Sequence, residues 1–97
     1  MLADEPDDSF LRYTLAMEMW KTDEQSESLA IFESLTGDKP PHVPAFLMMA
    51  QRQAEIGKVD EARETLRVGI EAARDQNNLH AASEMGELLS SLGESGL

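Results

Sequence analysis

"AEIGKVDEARETLRVGI", residues 54–70, places Gly57 between two runs whose small and apolar residues recur at helical spacing: Phe46, Met49, Ala50 and Ala54 before it, Ala62, Leu66 and Ile70 after it. A glycine at such a junction reads as the end of one helix and the corner before the next, because a helix C-terminal residue with positive φ is cheap only for glycine or asparagine. Gly57 is therefore expected to be the corner of an αα-hairpin.

Similar punctuation organises the remainder of the chain. Residues 1–8 contain Pro6 and read as an acidic, frayed lead, with Asp7, Asp8 or Ser9 as N-cap of a first helix over Ser9–Lys21. A second helix, about Gln25–Leu35, carries Leu29, Ile31, Phe32 and Leu35 and stops at "TGDKPPHVP", where Gly37 and three prolines cannot continue it. The third opens with Pro44 in its first turn and reads "AFLMMAQRQAEI" as far as Gly57. Asp60 or a neighbour is expected to cap the fourth, which runs to about Arg74; "DQNN" is a polar turn, and a fifth helix covers about Leu79–Leu92 before residues 94–97 fray. No segment alternates with period two for long enough to argue a strand. The expected fold class is all-α, built from antiparallel αα-hairpins.

The hairpins repeat. An offset of 34 residues carries Phe46, Met49, Ala50, Gln53, Gly57, Ala62 and Leu66 back onto Arg12, Leu15, Ala16, Met19, Asp23, Ser28 and Phe32, with Pro40 ending that unit. An offset of 36 carries the first five forward onto Ala82, Met85, Gly86, Leu89 and Gly93. A large, a small and a large residue in the first helix, then a small residue and an aromatic or leucine four positions later in the second, resembles the tetratricopeptide repeat family. The resemblance covers roughly residues 10–93: a single repeat domain over 9–93, with one unit at about 9–42, a second at about 43–77 and a capping helix at about 78–92. Arg12, Gln53, Asp23 and Arg74 depart from it, standing where the family favours a large apolar residue, tyrosine, glycine and proline. An irregular bundle of five helices is the alternative.

Packing gives the pattern its physical sense. Ala16, Ala50 and Gly86 are expected where paired helices cross most closely, Ser28 and Ala62 serve the same contact from the second helix, and Phe32 and Leu66 fill the space to the next pair. The family resemblance implies a right-handed stack whose first helices line a concave, peptide-binding face, and a role as a small adaptor or scaffold. Projected at helical spacing, the first helix gathers Leu11, Leu15, Ala16 and Met19 on an expected packing side and Phe10, Tyr13, Met17 and Trp20 on the other. The corresponding inner positions are Leu47, Met48, Gln51 and Ala54 in the third helix and His80, Ser83, Glu84, Glu87 and Ser90 in the fifth. The inner face thus changes from aromatic and methionine-rich to polar and acidic. Three fates compete for the stripe on the first helix: completion of a small core, a groove for a peptide or amphipathic helix, or burial in a homodimer.

Charge narrows the partners. Net charge is −11, from 19 acidic and 8 basic residues, and residues 75–97 carry four acids and no lysine or arginine. Nucleic acid and anionic membrane surfaces need a basic face and are poor partners; a protein or peptide with an apolar stretch and a basic flank suits this chain better. The lysine, asparagine and arginine cluster with which some family members grip a terminal carboxylate is not carried over, since Lys21 stands here among Thr14, Gln51, Glu55, Glu84 and Glu87. No apolar run approaches the roughly 20 residues that span a bilayer, and "MLADEPDD" is acidic where a secretory signal would be basic, so a cytoplasmic location is expected.

Catalysis is not expected. Cysteine is absent, which removes thiolate chemistry and cysteine-held metals. His42 and His80 read as solvated surface with no partner at a spacing that fixes geometry. "DEPDD" lacks the glycine and distal glutamate of a calcium loop, the glycines are isolated, and acids interleaved with arginines, such as Glu64 with Arg67 and Arg67 with Glu71, read as a solvated helix face. No cofactor and no metal are expected.

Overall fold

The computed structural model describes residues 9–95. They form α1 (Ser9–Lys21), α2 (Gln25–Thr36), α3 (Val43–Glu55), α4 (Val59–Asp75) and α5 (Leu79–Ser95), and no strand occurs among them. The fold is all-α. The acidic lead, the caps expected at Asp7 and Asp8, and residues 96 and 97 lie outside the described residues, whereas residues 94 and 95, expected to fray, continue α5. The chain divides into two compact units, residues 1–42 and 43–97.

In the first unit, α1 and α2 form an αα-hairpin. Its corner is closed by the Glu24 N–H donating to the Met19 carbonyl at 3.1 Å, around Asp23 at φ 72°. Where the helices meet, the Ser28 hydroxyl donates to the Ala16 carbonyl at 2.6 Å, and both residues are fully buried, as are Phe32 and Leu35. A side chain larger than Ala16 or Ser28 would hold these backbones apart.

The second unit repeats this corner and adds another. At Gly57, φ is 85° and the Lys58 N–H donates to the Gln53 carbonyl at 2.8 Å; at Asn77, φ is 62° and the Asn78 N–H donates to the Ala73 carbonyl at 2.7 Å. Each corner uses a left-handed residue to satisfy carbonyls that the helix end leaves open. The residue five positions on, Ser28, Ala62 or Ala82, is small and buried each time. The α4 cap is a correction: it falls on Lys58 without a side-chain hydrogen bond, while Asp60 lies in the first turn.

Helix α4 packs against both α3 and α5, and the core of this unit joins Val43, Phe46, Ala50, Ala62, Leu66, Ala72, Ala73, Ala82 and Met85. The tightest approach is at Gly69, where a Cβ would lie 2.6 Å from Phe46 Cβ and 2.7 Å from Met85 Sδ. Gly86, expected at a crossing, has nothing within 4 Å of where its Cβ would be. The reason is topological. Among the described residues α5 has no second helix of its own to cross, and its contact is made through Met85 against α4.

Candidate interaction surface

On α1, Phe10, Tyr13, Met17 and Trp20 follow one another at helical spacing along one side. Phe10 is 69 % exposed, and Met17 and Trp20 are half-buried. Tyr13 corrects the expected division of faces, because its ring meets the buried Phe32 edge-on at 5.8 Å and the His42 imidazole at 5.3 Å. It stands at the margin of the core. The opposite expectation fails as well: Leu11 and Leu15, assigned to the packing side, are 50 % and 52 % exposed. A projection locates the faces of a helix but not which of them has a neighbour. Met85, which occupies on α5 the position of Leu15 on α1, is 1 % exposed because α4 lies against it.

In the second unit Leu47, Met48 and Gln51 on α3 are all half-buried, Leu47 resting on the core cluster. Gln53, where the family favours tyrosine, is buried and accepts a hydrogen bond from the Thr65 hydroxyl at 2.8 Å, so a polar pair joins α3 to α4 there. On α5, Glu84 and Glu87 are exposed on a helix with no lysine or arginine. His80 is exposed, as expected, but it has a carboxylate neighbour, Glu84, at 3.5 Å one turn along. Along α4 the acid–arginine alternation is a solvated face, with Glu64 paired to Arg67 at 3.4 Å and Glu71 paired to Arg74, rather than to Arg67, at 3.6 Å.

A cluster in the first unit was not legible in the sequence. Arg12 reaches from α1 to Asp38 at 2.9 Å and to the Ser34 hydroxyl at 2.7 Å, tying α1 to the end of α2 and the segment beyond it. The departure at position 12 therefore exchanges an apolar contact for a charge-assisted one. Arg12, Asp38, Ser9, Lys39 and Pro40 line an open depression of about 410 Å³, and the ion pair neutralises much of its charge. His42 is also corrected: it is half-buried against Tyr13, and its N–H donates to the Leu35 carbonyl at 3.0 Å. Burial pushes its imidazole pKa below the ordinary 6.5, Asp38 opposing that shift and Arg12 adding to it. An arginine amid apolar residues, with an acid in the following loop, was the available signal.

Among the described residues, no group of three His, Asp or Glu side chains converges as metal ligands would, and no helix is long and apolar enough to cross a membrane. Exposed and half-buried side chains are largely apolar on the Phe10 side of α1, mixed on α3 and acidic on α5.

No family model matches the sequence, and no curated protein does. Solved structures do. The chain is similar to the solution NMR structure of a tetratricopeptide repeat domain protein from Salinibacter ruber, with 32 % identity, a TM-score of 0.84, and coverage of 91 % of this chain and 89 % of that one. It is likewise similar to the crystal structure of a tetratricopeptide repeat domain protein from the same organism, with 31 % identity, a TM-score of 0.79, and coverage of 90 % and 97 %.

Proposed function

We propose, from the premise that this chain belongs to the tetratricopeptide repeat family, that it is a cytoplasmic, non-enzymatic adaptor or scaffold that binds a peptide or helix of another protein. The fold supports a protein-interaction role, and the exposure of Phe10 on the same side of α1 as Met17 and Trp20 carries the reading to particular residues. Aromatic and methionine side chains give large contact area with adaptable shape and are common binding anchors. Phe10, Tyr13, Met17 and Trp20 would meet the apolar stretch of the ligand, together with Leu47, Met48 and Gln51, while Glu84 and Glu87 would meet a basic flank. Neither a nucleic acid nor a membrane suits a surface of net charge −11.

A second reading, self-association through α1 in a homodimer, is favoured by the exposure of Leu11 and Leu15 beside the aromatic side. Light scattering across a concentration series separates the two: a monomer at all concentrations excludes the dimer. Selection from a random peptide library then tests the binding surface. The selected peptides should be apolar with lysine or arginine at one end, and Trp20→Ala and Met48→Ala should each weaken them at least about tenfold, or about 1.4 kcal/mol. The accompanying loss of stability should stay well below the roughly 3–5 kcal/mol expected for truncating a core aromatic. Variants that unfold instead place these side chains in the core and reject the groove.

A further inference from the structure

We propose that His42 is an acid-sensitive latch, holding the segment after α2 against α1 while its imidazole is neutral and releasing it on protonation. The segment, residues 37–42, leads from α2 to the boundary between the two compact units. Besides the backbone hydrogen bonds of Gly37 and Asp38 to the end of α2, two side-chain contacts hold it. Asp38 is clamped by Arg12, and His42 rests on the Tyr13 ring with its backbone N–H on the Leu35 carbonyl.

The second contact is conditional because of the first. Asp38 is the carboxylate that would stabilise an imidazolium at position 42, but its charge is already engaged by the Arg12 guanidinium at 2.9 Å. Arg12 acts on His42 with the opposite sign, so the ion pair offers an added proton little net attraction. The Tyr13 ring, packed against the imidazole at 5.3 Å, adds to its burial. Desolvation is left as the dominant influence, and it favours the neutral ring.

The sign follows from linkage. The latched His42 has a pKa below 6.5 and the released one approaches 6.5, so release takes up a proton. The latch is at full strength above about pH 6.5 and weakens as pH falls through 6.5 toward the latched value. The chain contains two histidines and no cysteine, and histidine is the side chain whose charge ordinarily changes near neutral pH. His80 is the natural control, being exposed on α5 beside Glu84.

NMR on the full chain tests this. The His42 imidazole should titrate below 6.5, with the Tyr13 ring signals moving on the same curve. Protection of the His42 amide against hydrogen exchange, corrected for the intrinsic pH dependence, should fall by up to about tenfold per pH unit between the released and latched pKa values. His42→Phe should abolish this pH response and His80→Gln should leave it intact. Arg12→Gln should raise the His42 pKa by exposing it to Asp38, and Asp38→Asn should lower it further. These opposite shifts separate a latch from a general loss of structure, even if His42→Phe folds poorly. A His42 pKa at or above 6.5, or an amide response that persists in His42→Phe, overturns the proposal.

Discussion

Two glycines in neighbouring helices should respond with opposite signs to the same substitution. A Cβ added at Gly69 would sit 2.6 Å from Phe46 Cβ, 2.7 Å from Met85 Sδ and 2.8 Å from Phe46 Cγ. Ordinary carbon contacts begin near 3.5 Å, so roughly 1 Å of separation must be found. Met85 Sδ is near the end of a flexible chain and can move, but Phe46 Cβ is fixed to α3, and α3 itself must shift. Such overpacking costs about 1–3 kcal/mol, against a gain of about 1 kcal/mol from replacing glycine by alanine inside a helix. Gly69→Ala should therefore destabilise by about 1 kcal/mol. At Gly86 the new Cβ meets nothing within 4 Å, so the helical gain of up to about 1 kcal/mol stands alone. The contrast of about 2 kcal/mol corresponds to roughly 8–16 °C between the thermal midpoints of the two variants. Circular dichroism melts, with urea titrations to confirm an unchanged m-value, read it directly. Gly69→Ala as stable as Gly86→Ala would refute the close three-helix contact of the second unit.

Asp23 occupies at φ 72° the corner position that Gly57 fills at 85°, so Asp23→Gly should raise stability by up to about 1 kcal/mol and Gly57→Ala should lower it by a similar amount, as equilibrium denaturation would show. Ala16→Leu and Ala50→Leu, at fully buried positions, should each cost about 1–3 kcal/mol; unmoved thermal midpoints in both would refute the repeat register. Truncation after Asn77 removes Ala82 and Met85 from the core of the second unit, so the shortened chain should bind a hydrophobic dye or aggregate. A monomeric truncation that keeps α1–α4 fully helical would deny α5 its capping role.

The reading from sequence succeeded where local chemistry decides the structure. The limits of α1, the proline-rich stop after α2 and the corner at Gly57 follow from capping, proline sterics and positive φ, which act within a few residues. It failed where the answer depends on a neighbour. Leu11 and Leu15 carry the pattern of a packing face, yet among the described residues no helix precedes α1, while the same position on α5 is filled by Met85 against α4. The repeat offset aligns Gly86 with Ala50 and gives no signal at Gly69, although it is Gly69 that lies where three helices converge. The surroundings of Arg12 and His42 are hidden for a related reason: their neighbours Asp38 and Tyr13 are distant in sequence and are brought to them by the hairpin and the segment after it. Of the candidate surface, the apolar character of α1 and the acidity of α5 were legible. The engagement of Tyr13 with Phe32 was not.

Chemical-shift mapping with two matched peptides is the most direct test of the interaction role. Both carry the same amphipathic apolar stretch, and one ends in lysines and arginines, the other in glutamates. The basic peptide should bind the monomeric protein, with the largest shifts at Phe10, Met17, Trp20, Leu47, Met48 and Gln51 and at Glu84 and Glu87, and its affinity should fall with added salt. The acidic peptide should bind far more weakly. Equal binding of both peptides, or shifts confined to other faces of the helices, would contradict the account.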